Sequence, residues 1–557
     1  MRVAIELHDN KADVLVVGKC EKRDAHTILA TGGINAALGN LDKKDSWQVH
    51  AADTIREGGY INDAKAVKVL CKNATDAVKE LAKWKVKFHK ETNGKITQRF
   101  FGAATYRRAC FVGDYTGKAI LDSLVDQTLK REVRFKNEIY IVSLLYAKGR
   151  VNGAIGLDIR NGEFIIFHSK IVVLCTGGHS RMYKRSSSRF WENNGDGIFL
   201  GYELGAKFMD MEMFQFHPTG MVYPQEAEGL LVTEAVRGEG GILTNKRGQR
   251  FMEKYAPEKM ELSARDVVAR AVYNEIKEGR GTKKKGVYLD ISYKPKKYIL
   301  SRIPRMYKQF KDYVNVDISK DKMEVAPTAH YSMGGIYVDH ETGKTSIKNL
   351  FAIGEVTAGV HGANRLGGNS LAEIIIFGKL TGKNILKELK SIRFTKIDES
   401  LVNDKVLEIM HKLGNERGKD PIKIKKDIQN LMWRNVGVVR KARDMKKALK
   451  KLHKYKKLKF KVDNSLIMNE NLIAALDIRN MLPTCEMIIR SALFREESRG
   501  AHYRVDFPET LDKWKMNIIC NVEEDGIRIS TKPLKKIPYD VNKFLKKKSD
   551  VSNLLLE

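Results

Sequence analysis

Ile171-Val172-Val173-Leu174-Cys175-Thr176-Gly177-Gly178 is an almost wholly apolar run that closes on two glycines. Strands of a parallel sheet are covered on both faces, so they read as continuous apolar segments and not as alternations. Paired glycines at the end let the backbone turn sharply and approach a ligand. Two further segments have this form, Asp13-Val14-Leu15-Val16-Val17-Gly18 near the start and Leu350–Gly354 far downstream. Together they predict an α/β fold whose ligand sits beyond the strand ends.

Around these strands the periodicity changes. Residues 62–84 place Ala66, Val69, Leu70, Ala77, Val78 and Leu81 on one helical face. Ile139–Leu145, Ala154–Ile159 and Glu163–His168 read as strands, several parted by Gly-containing turns. A Gly-rich middle bearing acids and arginines runs from about 210 to 335. Residues 401–500 are rich in Lys, Leu, Met and Ile and poor in Gly and Pro, which predicts a helical bundle. The last fifty residues read as a short β-containing tail with a charged, mobile end.

Composition removes several function classes. At 557 residues the chain exceeds one compact core, so several domains are expected, and 43% hydrophobic content argues against disorder. No run reaches the ~18 apolar residues of a membrane helix. Arg2, Glu6 and Asp9 interrupt the opening segment, so no signal peptide is read and a soluble, cytoplasmic chain is expected. Cys20, Cys71, Cys110, Cys175, Cys485 and Cys520 form no CxxC pair, which predicts scattered thiols, no metal and no chain-borne iron–sulfur cluster. The net charge of +32 reads either as attraction to anionic lipid or an acidic partner, or as a lysine-rich surface. The basic runs Lys283–Lys285, Lys446-Lys447, Lys450-Lys451, Lys456-Lys457 and Lys546–Lys548 are scattered, without zinc-finger spacing or an aromatic RNP-like segment, so nucleic acid is not an expected partner.

Five segments resist a packing explanation. They are Ala25–Asn35 (Ala-His-Thr-Ile-Leu-Ala-Thr-Gly-Gly-Ile-Asn), Gln215–Gly220 (Gln-Phe-His-Pro-Thr-Gly), Leu231–Gly241 (Leu-Val-Thr-Glu-Ala-Val-Arg-Gly-Glu-Gly-Gly), Ser263–Asp266 (Ser-Ala-Arg-Asp), and a composite fifth. That fifth runs from Pro327–Tyr331 through Gly354-Glu355 to His361–Leu371. Arginines, histidines and a Thr-Glu pair in Gly-rich surroundings suit a dianionic substrate, because guanidinium forks and imidazoles grip carboxylates through charge-assisted bonds.

These segments resemble the flavoprotein subunits of the succinate dehydrogenase and fumarate reductase family, with L-aspartate oxidase as the nearest relative. Glu496-Glu497-Ser498-Arg499-Gly500-Ala501-His502-Tyr503-Arg504 resembles a further family signature. The resemblance implies an FAD-binding Rossmann-like domain in two parts, 1–210 and 334–392, with an inserted α+β capping domain at 211–333. A helical domain at 393–500 and a small C-terminal domain and tail at 501–557 follow. It implies hydride transfer between FAD and succinate or fumarate, with electrons passed to or from an iron–sulfur subunit. Membrane-anchor subunits would be further partners. Such partners would hold the chain peripherally at the cytoplasmic face of a membrane.

Residue by residue, the resemblance makes His26 the site of a covalent bond to the flavin 8α-methyl group. Thr27, Ala30, Gly32 and Gly33 wrap flavin and pyrophosphate, and Gly18 and Lys19 end a strand near the adenosine ribose. Asp196, Glu355, Asn369, Ser370 and Leu371 match further FAD contacts. His217, Thr233, Glu234, His330 and Arg365 match the substrate-binding set. Arg265 matches the proton donor to the substrate carbon, with Arg237 and Glu239 as the relay that feeds it.

Two departures stand out. The family's opening strand and GxGxxG turn are missing: Met1–Leu7 matches the helix that normally follows that turn, although Val3, Ile5 and Leu7 alternate as in a strand. A start codon chosen too late is the favoured explanation over genuine loss. Phe101-Gly102-Ala103-Ala104-Thr105-Tyr106 carries two alanines where many relatives have a second glycine and a polar residue. Two alternatives stay open, an L-aspartate oxidase, against which His26 leans, and an FAD-poor paralogue kept as a binding partner.

Overall fold

The computed structural model describes residues 1–546, and the tail 547–557, expected to be mobile, lies outside the described residues with most of the basic run Lys546–Lys548. The apolar run at 171–178 forms the strand Val172–Leu174, which pairs in parallel with Leu350–Ala352. Leu15–Val17 pairs in parallel with Arg134–Lys136. Among the described residues these remain two separate two-stranded ribbons. Their strands were expected to be covered on both faces. Instead Leu15 is 38% exposed, Val16, Val17, Val172 and Val173 are half-buried, and Cys175 and Thr176 are exposed. Leu15–Val17 and Val172–Leu174 are thus each paired on one side only and incompletely covered.

Arg2–Leu7 is helical, within the helix Arg2–Asp9 that Met1 precedes, despite its alternation. Tertiary packing overrides the local pattern. Val3 and Leu7, one turn apart, join Phe351 and Ile385 in a small core. The partner helix, Asn369–Leu389, presents Gly378 and Gly382, where a Cβ would stand 2.9 Å from the Arg2 Cβ and 2.8 Å from the Glu6 Cβ. Two missing side chains let the helices cross in close contact.

The strands Ile139–Ala147, Arg150–Asp158 and Phe164–His168 form an antiparallel meander. The middle strand begins earlier than its sequence pattern indicated. Lys148 and Gly149, at φ +51° and +74°, make a two-residue hairpin turn, and Gly153 lies inside the strand because a Cβ there would meet the Phe167 carbonyl at 2.1 Å. A four-stranded antiparallel sheet in the order Phe214–Met221, Met323–Ser332, Val287–Asp290, Ile242–Thr244 packs against the helix Arg265–Lys277 over its own apolar core.

Helices Glu399–Met410, Pro421–Val436, Ala442–Tyr455 and Glu470–Phe494 fill the region expected to be a bundle. Asp398, Asp420 and Asn469 cap three of them through side-chain oxygens. The hairpin Met516–Glu523 and Gly526–Pro533 extends a sheet with Phe208–Met209 and Gly335–Ile336, so the C-terminal segment is built into the body of the protein.

The Glu496–Arg504 signature forms a buried ionic lock. Arg495, with a fully buried side chain, donates to Glu212 at 2.7 Å and Glu497 at 3.1 Å, and Glu497 also accepts from Arg499 at 2.7 Å. Arg499 reaches the Gly59 carbonyl at 2.8 Å, and the Ala501 N–H donates to the Ala363 carbonyl at 2.9 Å. The end of the bundle is thereby pinned to the loop that carries Arg365. Arg495→Leu strands the Glu212 carboxylate in the interior, so about 3–5 kcal/mol of stability is lost, read as a lower urea unfolding midpoint.

Candidate active site

Three arginines and one carboxylate meet between the antiparallel sheet and the parallel ribbons. Arg265, the first residue of its helix, donates through Nε to Glu234 at 2.7 Å and through Nη1 to Gln215 at 2.9 Å. The other Glu234 oxygen accepts from the Gly102 N–H at 2.7 Å. Glycine is required on both sides of this pair. A Cβ on Gly102 would meet Glu234 Oε1 at 2.9 Å, and one on Gly367 would meet Arg265 Nη2 at 3.0 Å. Arg365 donates to Ser370 at 2.8 Å and Gln215 at 3.2 Å, lies over the Tyr331 ring at 4.2 Å, and keeps a buried Nε without a partner.

His217 and His330 sit on neighbouring strands with ring centroids 5.2 Å apart. Ser187 holds His330 Nδ1 at 2.9 Å and the Thr219 backbone engages His217 Nδ1, so among the described residues neither Nε2 has a hydrogen-bond partner. Burial, then Arg265 and Arg237, push His217 well below its ordinary pKa; burial, then Arg365, do the same to His330. Both rings are neutral near pH 7. Burial works to raise the pKa of Glu234, but Arg265 and Arg237 overcome it and hold the carboxylate at about 2. Burial and the nearby Arg265 bring Arg365 down to about 10, still cationic. Thr233 lies buried beside Glu234, its hydroxyl accepting from the Ala235 N–H at 3.3 Å.

The relay expected from sequence needs correction. Glu239 does not pair with Arg237: it accepts from Tyr298 at 2.6 Å and Arg302 at 3.1 Å, with Arg99 at 3.7 Å. The helix Ala235–Gly238 is one turn long and separates the two carboxylates. Glu234, assigned from sequence to substrate binding, is the acid that touches Arg265 and lies 3.9 Å from Arg237. Arg237 is fully buried, and its Nε and Nη2 have no hydrogen-bond partner.

The residues matched to the cofactor lie on several elements. His26 begins the short turn His26–Leu29; its Nδ1 lies 3.0 Å from Glu192, its Nε2 lies 3.4 Å from Ser188, and its side chain is 29% exposed. Gly32 and Gly33 permit contact with the Phe101 ring and the Cys110 carbonyl, at 2.7 and 2.9 Å from where a Cβ would stand. The Thr27 and Ala30 carbonyls cover Gly117 in the helix Thr116–Leu129. Glu355 accepts from the Ser332 N–H at 3.0 Å. Lys19, just beyond Gly18, is tied to Asp196 at 3.2 Å and to Asp477 at 3.1 Å. Asn369 spends its side chain on Asn35, His50 and Thr54, and Leu371 packs into a hydrophobic core, so their contribution to a ligand falls to the backbone. Ala103 holds φ +66°, a conformation suited to glycine, and with Ala104 it lines a cleft next to Ser263 and Ala264.

Residues 1–371 match the family model of an FAD binding domain, and residues 425–546 match that of the fumarate reductase flavoprotein C-terminal region. A fumarate reductase (CoM/CoB) subunit from Methanothermobacter marburgensis is 44% identical, over 93% of this chain and 94% of its own. The succinate dehydrogenase flavoprotein subunit of Rickettsia bellii is 35% identical, over 94% of this chain and 91% of its own. A solved structure of Mycobacterium smegmatis Sdh1 in complex with UQ1 superposes with a TM-score of 0.86 at 38% identity, covering 96% of this chain and 92% of the other. The chain belongs to the succinate dehydrogenase/fumarate reductase flavoprotein family.

This flavoprotein is an FAD-dependent oxidoreductase, and its residues fit the cofactor. Gly177, at φ +73°, turns the backbone beyond the strand Val172–Leu174, and among the described residues buried Thr31 Oγ1 has no hydrogen-bond partner. Gln215 and Asn364 stand inside the sequence motifs with no role assigned to them there; the Gln215 Oε1 accepts from both Arg265 and Arg365, and its Nε2 donates to the Asn364 Oδ1 and the Arg365 carbonyl. Asp477 and Glu192, the partners of Lys19 and His26, carried no local signal. At Gly117 a Cβ would stand 2.1 Å from the Thr27 carbonyl and 2.6 Å from that of Ala30. Helix propensity alone favours alanine there by about 1 kcal/mol, yet Gly117→Ala must displace the wrapping turn. FAD affinity is expected to fall at least about tenfold, about 1.4 kcal/mol, in a fluorescence titration.

Proposed function

We propose that this flavoprotein reduces fumarate to succinate, with succinate oxidation as the reverse reaction on the same residues. The observation that carries this is the charge of the site. Arg265, Arg237 and Arg365 are buried together, and among the described residues Glu234 is the one carboxylate within 4 Å of any of their side-chain nitrogens, so the cluster is rich in positive charge, the complement of a dicarboxylate. The unpartnered Arg365 Nε and the free Nε2 atoms of His217 and His330 supply donors for it. Neutral imidazoles donate hydrogen bonds without adding charge, so the excess stays matched to a dianion.

FAD, when bound, supplies a hydride to one alkene carbon. Arg265 then protonates the other carbon, and Glu234 and Arg237 return the proton to Arg265. Guanidinium is a weak acid in water, but here Arg265 is buried and oriented by Glu234 and Gln215. Its proton transfer therefore needs little reorganisation. Gripping both carboxylates favours the charge that develops on the substrate over the charge it carries at rest. The relatives' names, as subunits, support electron delivery by a separate iron–sulfur subunit, with anchor subunits for membrane attachment; no helix among the described residues is long and apolar enough to cross a membrane.

The test is fumarate reduction by the FAD-loaded chain with a reduced viologen as donor. Arg265→Lys keeps the charge and removes the fork, so kcat is expected to fall by about 10²–10⁴ while the flavin spectrum is kept. Unchanged kcat would remove Arg265 from the chemistry.

We infer also that His26 holds the flavin covalently. Glu192 accepts from Nδ1–H and leaves the Nε2 lone pair for the bond. Acid-precipitated protein is expected to stay yellow, and His26→Ala to release the colour into the supernatant.

A further inference from the structure

Arg365 is held on three sides. Its Nη1 donates to Ser370 at 2.8 Å, its Nη2 donates to Gln215 at 3.2 Å, and its face rests on the Tyr331 ring at 4.2 Å. Gln215 and Tyr331 are direct partners across the antiparallel strands Phe214–Met221 and Met323–Ser332, so one strand supplies the acceptor and the other the ring. Two hydrogen bonds in the guanidinium plane still let it tilt about the line joining their acceptors. A ring stacked against the face removes that freedom, and so gives the unpartnered Nε one direction.

The ring is anchored in turn. The Tyr331 hydroxyl donates to Glu373 Oε2 at 2.8 Å, and His361 Nε2 donates to the same oxygen at 2.9 Å and stands 3.3 Å from the hydroxyl. The Tyr331 and His361 rings meet edge to face with centroids 5.3 Å apart. All three side chains are buried. Burial works to raise the Glu373 pKa, but His361 and Tyr331 hold it below the ordinary carboxylate range, so it remains an acceptor for both. Glu373 lies three residues after Ser370 on the helix Asn369–Leu389, and His361 four residues before Arg365. One carboxylate oxygen therefore ties together the strand, the loop and the helix from which Arg365 takes its contacts. Its helix neighbours Leu371, Ala372, Ile375, Ile376 and Phe377 are buried in an apolar core, a setting in which an unpaired carboxylate is costly. Helix packing alone calls for an apolar side chain at this position.

We propose that Glu373 is a positioning residue of the dicarboxylate site: through Tyr331 it sets the tilt of the Arg365 guanidinium, and with it the grip on one substrate carboxylate. It acts through Tyr331 and Arg365. The inference rests on the dicarboxylate-binding site proposed above.

The experiment is calorimetric titration of the oxidised, FAD-loaded full chain with fumarate and with crotonate, which keeps the trans alkene and carries a methyl group in place of one carboxylate. No electron donor is present, so binding is read without turnover. The wild type is expected to bind fumarate at least about tenfold more tightly than crotonate. Tyr331→Phe keeps the ring and frees it from its anchor, and Glu373→Leu removes the anchor itself. Each is expected to weaken fumarate binding about tenfold. Crotonate is expected to hold within about twofold, because a single carboxylate can use the part of the site that Arg365 does not grip. In the double variant the two losses do not add, since both cut the same contact. Glu373→Gln still offers one oxygen to both donors, and its fumarate affinity is expected to stay within about threefold of the wild type. Where Glu373→Leu fails to hold flavin, Tyr331→Phe and Glu373→Gln decide the matter. Unchanged fumarate binding in Tyr331→Phe, equal losses for fumarate and crotonate, additive losses in the double variant, or no rescue by Glu373→Gln overturns the proposal. A wild type that binds fumarate no better than crotonate overturns the dicarboxylate reading itself, and this inference with it.

Discussion

The desolvated pairing of Arg265 with Glu234 is the interaction on which the rest of this structure depends. Burying two charges costs several kcal/mol per ion, and their attraction offsets that only when geometry is good and the remaining donors and acceptors are satisfied. Here the satisfying groups come from distant parts of the chain. Gly102 supplies an N–H to Glu234, Gln215 accepts from Arg265, and Arg365 meets the same Gln215 oxygen. The pair can therefore form only when the antiparallel sheet, the loop after residue 100 and the segment before the helix Asn369–Leu389 all stand in place. The close approach of these parts explains Gly102 and Gly367, where any side chain would occupy the room of the ion pair.

Holding three segments to that accuracy needs support beyond the site. The buried lattice of Arg495, Glu212, Glu497 and Arg499 provides it, because Arg499 ends on the Gly59 carbonyl and the Ala501 N–H on that of Ala363. Gly500, at φ +53° and with no room for a Cβ beside the Ala363 carbonyl, lets that contact form. The loop leading into Arg365 is thus braced from behind by the end of the helical bundle. A loop of this kind would otherwise be the softest part of the site.

What could be read in advance follows from the range of the interactions. The strand at 171–178, the capped helices of the bundle and the Arg- and His-bearing motifs are signalled by residues close together in sequence. Long-range packing is not. Val3, Ile5 and Leu7 alternate as in a strand, and only the notch at Gly378 and Gly382 makes them a helix. Gly153 reads as a turn and lies within a strand, because the neighbouring strand fills its side-chain volume. Glu239 and Glu234 are five residues apart in one Gly-rich motif, and composition cannot tell which faces Arg265; a single helical turn between them decides it. Glu57, Glu192 and Asp477 sit in unremarkable sequence, and each is visible only through its partner in space.

The charge distribution follows the same division between inside and outside. Buried acids such as Asp45, Asp53, Glu212, Glu234 and Glu497 pair with buried arginines, Asp45 and Asp53 sharing Arg108, so the interior carries no large positive excess. The excess that makes the net charge +32 is therefore carried by the surface, most densely on the solvent face of Ala442–Tyr455 with Lys446, Lys447, Lys450, Lys451 and Lys454. Surface charge is screened within about 8–10 Å at physiological salt, too short a reach to tune a desolvated ion pair. The two sets of positive charge are thus separate, the lysines left in water and the arginines held by buried acids and amides.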